Sequence, residues 1–309
     1  MDRREFCLTA GAMLCISDVA RANARFRILL LYPKYPRPAR SEIDLVLSSF
    51  VSEARTLGLK VLKHELLPVT SPDGLLRLVH HIHPDVLAVI GGEIVDLAAS
   101  LPLHMPVLAT GAQLPVPDGT LAGISLVVDP TSTFSVLKKI APSITRVSVV
   151  IDPRRFGWLK KAMQEAAERL SLELAIHETD TLGAAAAQYS VILERASSRS
   201  DSLWLLDQPE FLTPDVLPRV IEGAWGRKVV VFSNVLDHVS EGVLFGTYLD
   251  PKSLGRRFAR LAALAEERPP PLLLDDDPAF AIDLRTARHL AGLLDMSALE
   301  LFHLRLGAS

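Results

Sequence analysis

The chain has 309 residues, of which 49% are hydrophobic and 22% are charged, with a formal net charge of −3. This length accommodates one large domain or two of ordinary size, and the apolar content is sufficient for a substantial core. The slightly acidic balance gives no indication of a polybasic surface of the kind that binds nucleic acid or anionic membranes.

The first two dozen residues have the pattern of an export signal. A charged head precedes a short apolar run at residues 7–16, and small residues at Ala22 and Ala24 offer cleavage positions. The apolar run is far shorter than the roughly 20 residues that a membrane-spanning helix needs. We therefore expect residues 1–24 to be a removable signal peptide and the mature protein to be periplasmic.

The motif Arg3-Arg4-x-Phe6 in this segment resembles a twin-arginine export signal, which directs folded proteins out of the cytoplasm. The sequence leaves open a plainer interpretation, a frayed basic N-terminus on a cytosolic protein. Both cysteines, Cys7 and Cys15, lie within the predicted signal. A mature protein without thiols has no disulfide framework, thiolate metal site or cysteine nucleophile.

Beyond the signal, short apolar runs alternate with amphipathic stretches. The runs lack clean polar alternation, as expected for strands covered on both faces, and occur at 28–32, 61–67, 86–90, 107–109, 147–151, 172–176, 203–206 and 229–232. Helices are predicted at 42–57, 74–81, 131–140, 159–170, 184–197, 216–225 and 251–267. This order predicts an α/β fold built on parallel sheets.

Three helix starts are marked by a capping residue directly before a proline: Asp129-Pro130, Thr213-Pro214 and Asp250-Pro251. The predicted strands fall into two sets, one before about Gly123 and one after about Arg146. Each set has the size of a small doubly wound domain, so the sequence predicts two similar lobes.

Several stretches carry a resemblance to a known family. They are the "helix, Pro, strand, Asp-Pro" block at 137–153, the paired stretches at 229–233 and 242–246, the helix entry from Tyr248 through Gly255-Arg256, and the segment at 281–287. In their order and spacing these stretches resemble the ABC-transporter substrate-binding proteins of periplasmic type 1 fold that include tryptophan- and tyrosine-type receptors.

The resemblance implies two doubly wound parallel-sheet lobes joined by a multi-strand hinge. Lobe 1 would comprise 25–125 plus 248–276, and lobe 2 would comprise 126–247 plus 277–309. It also implies a monomeric solute receptor without cofactor or catalysis. Such a receptor captures an amino acid or other small carboxylate in the interlobe cleft and delivers it to an ABC permease in the inner membrane.

Candidate ligand-binding residues follow from a rule that needs no motif. Ligands of open parallel sheets bind beyond the carboxyl ends of the strands. In the first lobe these positions are Tyr32, Tyr35, Gly91, Gly92, Thr110 and Gly111. In the second lobe they are Asp152, Asp207, Gln208, Ser233 and Asn234, with Tyr248 near a predicted crossing.

The residue types at these positions suit a small charged solute. Adjacent glycines let backbone N–H groups approach a ligand closely, and a helix N-terminus favours a carboxylate. The hydroxyl groups of Thr110 and Ser233 are potential donors to a carboxylate, Asp152 and Asp207 are potential partners of an ammonium group, and tyrosine rings stack on aromatic or cationic groups.

Plainer interpretations of the same residues stay open. Gly91-Gly92 also fits a tight turn, the two aspartates also fit helix caps, and Tyr35 also fits an ordered loop between prolines. The run His80-His81-x-His83 lacks accompanying carboxylates, so no metal site is predicted.

Two other functions remain as alternatives to transport. The same lobes could serve a signalling partner as a ligand-sensing module, or support a hydrolase on a similar fold. The only support for the hydrolase is the presence of carboxylates at predicted strand ends, because no nucleophile or nucleotide-binding motif is present.

Overall fold

The computed structural model describes residues 26–34, 39–67, 70–115, 122–266 and 270–307. The predicted signal at 1–24 and Tyr35 lie outside the described residues. Within the described ranges, no helix has the length and apolar character needed to cross a membrane.

The helices and strands alternate along most of the chain. The elements up to residue 128 are β1 (Arg27–Pro33), α1 (Ala39–Thr56), β2 (Lys60–Leu66), α2 (Pro72–Ile82), β3 (Val86–Ile90), α3 (Gly92–Ala99), β4 (Val107–Thr110) and β5 (Ala122–Val128). The next are α4 (Pro130–Ile140), β6 (Arg146–Ile151), α5 (Pro153–Phe156), α6 (Lys160–Arg169), β7 (Glu173–Glu178), α7 (Leu182–Arg195), β8 (Asp201–Leu205), α8 (Leu217–Arg227), β9 (Val230–Ser233), α9 (Leu236–Glu241) and β10 (Phe245–Tyr248). The last are α10 (Pro251–Leu264), β11 (Leu272–Asp275), β12 (Ala279–Asp283), α11 (Leu284–His289) and β13 (Leu304–Leu306).

The strands form two sheets. The first has the order β11-β5-β4-β3-β1-β2, and the pairs from β5 to β2 are parallel. The second has the order β13-β12-β10-β9-β8-β6-β7 and is parallel except where β12 runs antiparallel to β10. The predicted α/β fold with two mainly parallel sheets is confirmed.

Contacts divide the chain into two compact units. The first contains the described residues up to Leu114, those from 122 to Leu126, and Asp250–Leu273. The second contains Pro115, Val127–Leu249 and the described residues from Leu274 onward. The chain therefore passes three times from one unit to the other after residue 122.

The first unit is completed by a helix from the distant part of the chain. α10 packs on α1 so closely that a Cβ atom on Gly255 would lie 2.3 Å from the carbonyl oxygen of Val46. The rings of Phe50 and Phe258 pack beside this contact with centroids 5.5 Å apart. The absence of a side chain at Gly255 is thus what permits the close approach of the two helices.

The second unit has apolar layers on both faces of its sheet, as a doubly wound sheet requires. Side chains alternate between the two faces of a strand, so Val149 of β6 packs in one layer and Val150 in the other. The first layer contains an aromatic stack in which Trp204, Phe232 and Phe245 lie with centroid separations of 6.1 and 5.2 Å.

Two of the three predicted helix starts are confirmed. The carboxylate of Asp129 accepts a hydrogen bond from Thr131 N at 2.7 Å, and Asp250 caps α10 in the same way. The prediction for Thr213-Pro214 was wrong, because that pair opens a turn and α8 begins only at Leu217. A second proline, Pro218, lies in the first turn of α8, where its missing N–H leaves no helical hydrogen bond unmade.

Candidate ligand-binding site

The carboxyl edge of the first sheet brings two glycines together. Gly91 follows β3 with φ of 101°, and Gly111 follows β4 with φ of 81°. A Cβ atom on Gly111 would lie 2.7 Å from Gly91 N, which itself donates to the carbonyl of Thr110 at 2.8 Å. Both positions favour glycine, since an L side chain is strained at such φ values, and at Gly111 an added Cβ also has no room.

Gly91 is also the N-cap of α3, and Gly92 is the first residue of that helix. The tight-turn interpretation therefore describes this segment, and the N-terminus of an eight-residue helix lies beside it. The hydroxyl of Thr110 points inward, because the side chain is fully buried and donates to the carbonyl of Ile124 at 2.8 Å. Contact of these residues with a solute stays a prediction.

Tyr32 lies near the end of β1, opposite Glu65 of β2 in the parallel register. Its side chain is half-buried. Tyr32 therefore lies at the carboxyl end of a parallel strand, where ligands of such sheets bind.

At the carboxyl edge of the second sheet, Asp152 caps α5. Its Oδ1 accepts a hydrogen bond from Arg154 N at 2.9 Å, and its Oδ2 lies 2.9 Å from the guanidinium of the same arginine. The Arg154 side chain and backbone N–H lower the pKa of Asp152 below its usual range. The cap interpretation thus describes this carboxylate, which already has a cationic partner.

Gln208 joins two strand ends. Its side chain is almost fully buried, its Oε1 accepts from Asp152 N at 2.8 Å, and its Nε2 donates to the carbonyl of Val150 at 2.8 Å. Both polar atoms of the amide are therefore used to hold the loop after β8 against the end of β6.

Ser233 ends β9 and lies in a buried polar cluster. Its Oγ is 2.8 Å from Nδ1 of His238, 3.1 Å from the carbonyl oxygen of Leu205, and accepts from Val235 N at 3.1 Å. Burial lowers the pKa of His238, while the carboxylates of Asp207 and Asp237 act in the opposite direction. The imidazole is thus held predominantly neutral at pH 7.

Three candidate residues at this edge are partly buried: Asp207, Asn234 and Tyr248. The amide oxygen of Asn234 accepts a hydrogen bond from the indole Nε1 of Trp204. Tyr248 ends β10 and lies opposite Ala279 of β12. Within the described ranges, no group of three or more His, Cys, Asp or Glu side chains is arranged to hold a metal ion.

No family model and no curated protein matches the chain. Solved structures do match. The ligand-free, open substrate binding protein CD0873 of Clostridium difficile is 14% identical over 90% of this chain and 98% of its own, with a TM-score of 0.64. An ABC domain from Streptococcus pneumonia in complex with L-Trp is 14% identical over 91% of this chain and 99% of its own, with a TM-score of 0.53.

The fold is that of the type 1 periplasmic binding proteins. The resemblance predicted from the sequence is confirmed at this level. The type 1 fold does not by itself decide function, because the C-domain of LpoA from Haemophilus influenzae, described as a regulator of PBP1A, also matches. It is 13% identical over 78% of this chain and 86% of its own, with a TM-score of 0.54.

Sequence reasoning missed His238 as a member of the second carboxyl edge of this type 1 fold. The available signal was its spacing of five residues from Ser233, across a loop that turns directly into the short helix α9. A strand that ends in serine and a helix that begins within three residues bring positions 233 and 238 together. The histidine orders the serine hydroxyl and thereby the loop that contains Asn234.

Proposed function

We propose that this chain is a periplasmic solute-binding protein of an ABC importer. The observation that carries the proposal is the gathering of glycine and polar residues at the carboxyl edge of each parallel sheet, where ligands of α/β sheets bind. The solved structures of similar fold that are described as substrate-binding proteins support the same role. On this proposal the chain binds and releases its solute without changing it chemically.

We expect the solute to be an amino acid or a similar small carboxylate. At the first edge, Gly91 and Gly111 have no side chains, so a carboxylate can approach the backbone and the N-terminus of α3. At the second edge, Asp207 offers a carboxylate for an ammonium group. The L-Trp complex of a protein with the same fold supports this class of solute.

The hydrolase alternative receives no support from the Ser233–His238 pair. The serine side chain is fully buried, and its oxygen already has three polar neighbours. A nucleophile must reach the substrate carbonyl, and a hydroxyl enclosed in this way has no path to one. The pair is better explained as an internal brace for the loop after β9.

A thermal-shift screen against amino acids, purines and small organic acids tests the proposal. A ligand present at 100 times its dissociation constant stabilises the folded state by about 2.7 kcal/mol, which raises the melting temperature by several degrees. We expect at least one amino acid to produce such a shift. No shift with any member of the panel would count against a solute-binding role for this chain.

Two variants locate the site. Asp207→Ala should abolish the ligand-induced shift while circular dichroism shows the fold intact. Glu168→Ala removes an exposed carboxylate from the outer helix α6 and should leave the shift unchanged. A full shift in Asp207→Ala would remove that residue from the site.

We also propose that the chain reaches the periplasm through the twin-arginine route. Replacing Arg3 and Arg4 together by lysine keeps the charge but removes the motif. The variant should remain in the cytoplasmic fraction with its signal uncleaved, whereas the natural chain should appear in the periplasmic fraction. Equal periplasmic yields would refute the twin-arginine assignment without affecting the proposal for solute binding.

A further inference from the structure

A cavity lies in the second unit, at the amino edge of its sheet. It has a volume of about 250 Å³ and lies between the C-terminal half of α7 and the strands β6 and β7. Arg146, Glu173 and Asp201 are the first residues of β6, β7 and β8, so this edge is opposite to the carboxyl edge that holds Asp207. The cavity opens to solvent beside Arg146 and Glu173, whose side chains are about half-exposed.

The strand register explains why there is space here. Ser148 of β6 lies opposite Ala175 of β7, one row inward from the pair Arg146 and Glu173. The next row inward contains Val150, which packs against α7 in the core. Two small side chains in the middle row therefore leave a gap beneath the helix, where a doubly wound sheet normally carries large apolar residues.

The interior of the cavity carries polar groups suited to a ligand. Ser148 is only 8% exposed, and its hydroxyl makes no hydrogen bond to any part of the chain that the structure describes. Deeper in, Gln188 of α7 contacts Nδ1 of His177 at 2.9 Å. Val191 and Ile192 form an apolar roof. The Ser148 hydroxyl lines the cavity, so a polar group that enters can form a hydrogen bond with it.

The charges at the mouth alternate in sign. Arg146 lies opposite Glu173 on one neighbouring strand and Asp201 on the other, and both carboxylates raise its pKa. Arg146 and Glu173 form a salt bridge with 3.0 Å between Nη2 and Oε2. The oxygens of Asp201 accept hydrogen bonds from Ser197 N and Ser200 Oγ. Arg195, at the end of α7, adds a second guanidinium that forms no ion pair within the described ranges. A guanidinium binds a carboxylate, and a carboxylate binds an ammonium group. Arg195 together with the carboxylates of Glu173 and Asp201 therefore fits a molecule that carries both charges.

We propose that this cavity is a second binding site, for a small zwitterion of the amino-acid type. The carboxylate of the zwitterion contacts Arg195, its ammonium group contacts Glu173 and Asp201, and its short polar or aliphatic part reaches Ser148. The volume falls just below the roughly 300 Å³ at which ordinary ligand pockets begin, so the occupant is small. This site is distinct from the proposed solute site and does not depend on it.

The test uses a thiol placed in the cavity. In the full chain with Cys7→Ser and Cys15→Ser, Ser148→Cys supplies a single thiol, and its reaction with the small neutral reagent methyl methanethiosulfonate is followed by mass spectrometry. We expect β-alanine and glycine to slow the reaction saturably, by about ten-fold at ten times the dissociation constant. Propionate and propylamine, which each carry one charge, should slow it far less.

Matched variants identify the groups that hold the probe. Arg195→Gln should abolish the slowing by β-alanine, whereas Arg199→Gln, an equal loss of charge at a nearby exposed position, should preserve it. Ser190→Cys places a thiol on the exposed side of α7 and should react at a rate that β-alanine does not change. Asp207→Ala should leave the slowing intact, which separates this site from the proposed solute site.

Three results would overturn the proposal. They are an unreactive thiol in the folded Ser148→Cys variant, equal slowing by propionate and β-alanine, and full slowing in Arg195→Gln. Should Ser148→Cys fail to fold by circular dichroism, Ala175→Cys places the thiol on the neighbouring strand of the same cavity. The same expectations and the same contrary results apply to that variant.

Discussion

Replacing Gly255 by alanine perturbs the closest helix contact of the first unit. The new Cβ would lie 2.3 Å from the carbonyl oxygen of Val46, 2.9 Å from Cβ of Ser49 and 3.0 Å from Phe50 N. Two of these three atoms belong to the backbone, so no side-chain rotation relieves the overlap. α1 and α10 must move apart, which also loosens the ring contact between Phe50 and Phe258.

The magnitude follows from two opposing terms. Overpacking in a tight core costs about 1–3 kcal/mol, and a clash with backbone atoms belongs near the upper end. Alanine recovers about 1 kcal/mol through its better helix propensity. We therefore expect Gly255→Ala to lower the free energy of unfolding by about 2 kcal/mol, which corresponds to roughly 4–8 °C in melting temperature for a unit of this size.

Urea denaturation followed by circular dichroism measures the change, and a helical glycine elsewhere supplies the control. Gly226 lies in α8 with nothing within 4 Å of an added Cβ. Gly226→Ala should raise the free energy of unfolding by about 0.5–1 kcal/mol, since only the propensity contributes. Equal stabilisation by both substitutions would show that α1 and α10 do not pack as described.

Three further predictions concern buried polar groups. Gln208→Leu should lower the free energy of unfolding by about 2–3 kcal/mol in urea titrations, because the substitution leaves Asp152 N and the Val150 carbonyl without their partner. A loss below about 0.5 kcal/mol would contradict these hydrogen bonds. Burial lowers the pKa of His238 from its ordinary value of 6.5. The folded state therefore binds fewer protons than the unfolded state in mildly acidic solution. The free energy of unfolding should consequently fall as the pH drops below about 6.5. In His238→Asn part of that slope should disappear, and an unchanged slope in pH-dependent urea titrations would show that the imidazole is solvated. The hydroxyl of Tyr189 is buried without a hydrogen-bond partner in the described part of the chain, so Tyr189→Phe should leave the melting temperature unchanged or raise it. Thr110→Val removes a hydroxyl that donates a hydrogen bond, and should lower the free energy of unfolding by about 1 kcal/mol.

The sequence predicted the elements whose signals are local. β3 was predicted with its observed bounds, and α1, α4, α7 and α10 within a few residues. Their apolar periodicity and their caps depend on residues near each other in the chain. The short strands β5, β10, β11, β12 and β13 were not predicted as strands. Their apolar runs are either short, as in β11 and β12, or interrupted by glycine, serine or a charged residue, and only pairing with distant strands makes them extended.

The same contrast between local signals and contacts of distant residues applies to the candidate site. The rule that ligands bind at carboxyl ends selected residues that the structure places at the two carboxyl edges, such as Gly91, Gly111 and Asn234. It did not reveal that the polar groups of Thr110, Gln208 and Ser233 are directed into their own unit. The partners of these groups, such as Val150 for Gln208, lie on strands far away in sequence.

The sequence alone determined the fold class and predicted the edges at which a ligand binds, because alternating apolar runs and capped helices are properties of neighbouring residues. Only the tertiary structure decided which polar side chains are already satisfied inside each unit, that β12 runs antiparallel, and that a cavity lies beneath α7. Those outcomes depend on which strands become neighbours, and a gap above Ser148 and Ala175 exists only once β6 and β7 pair in that register.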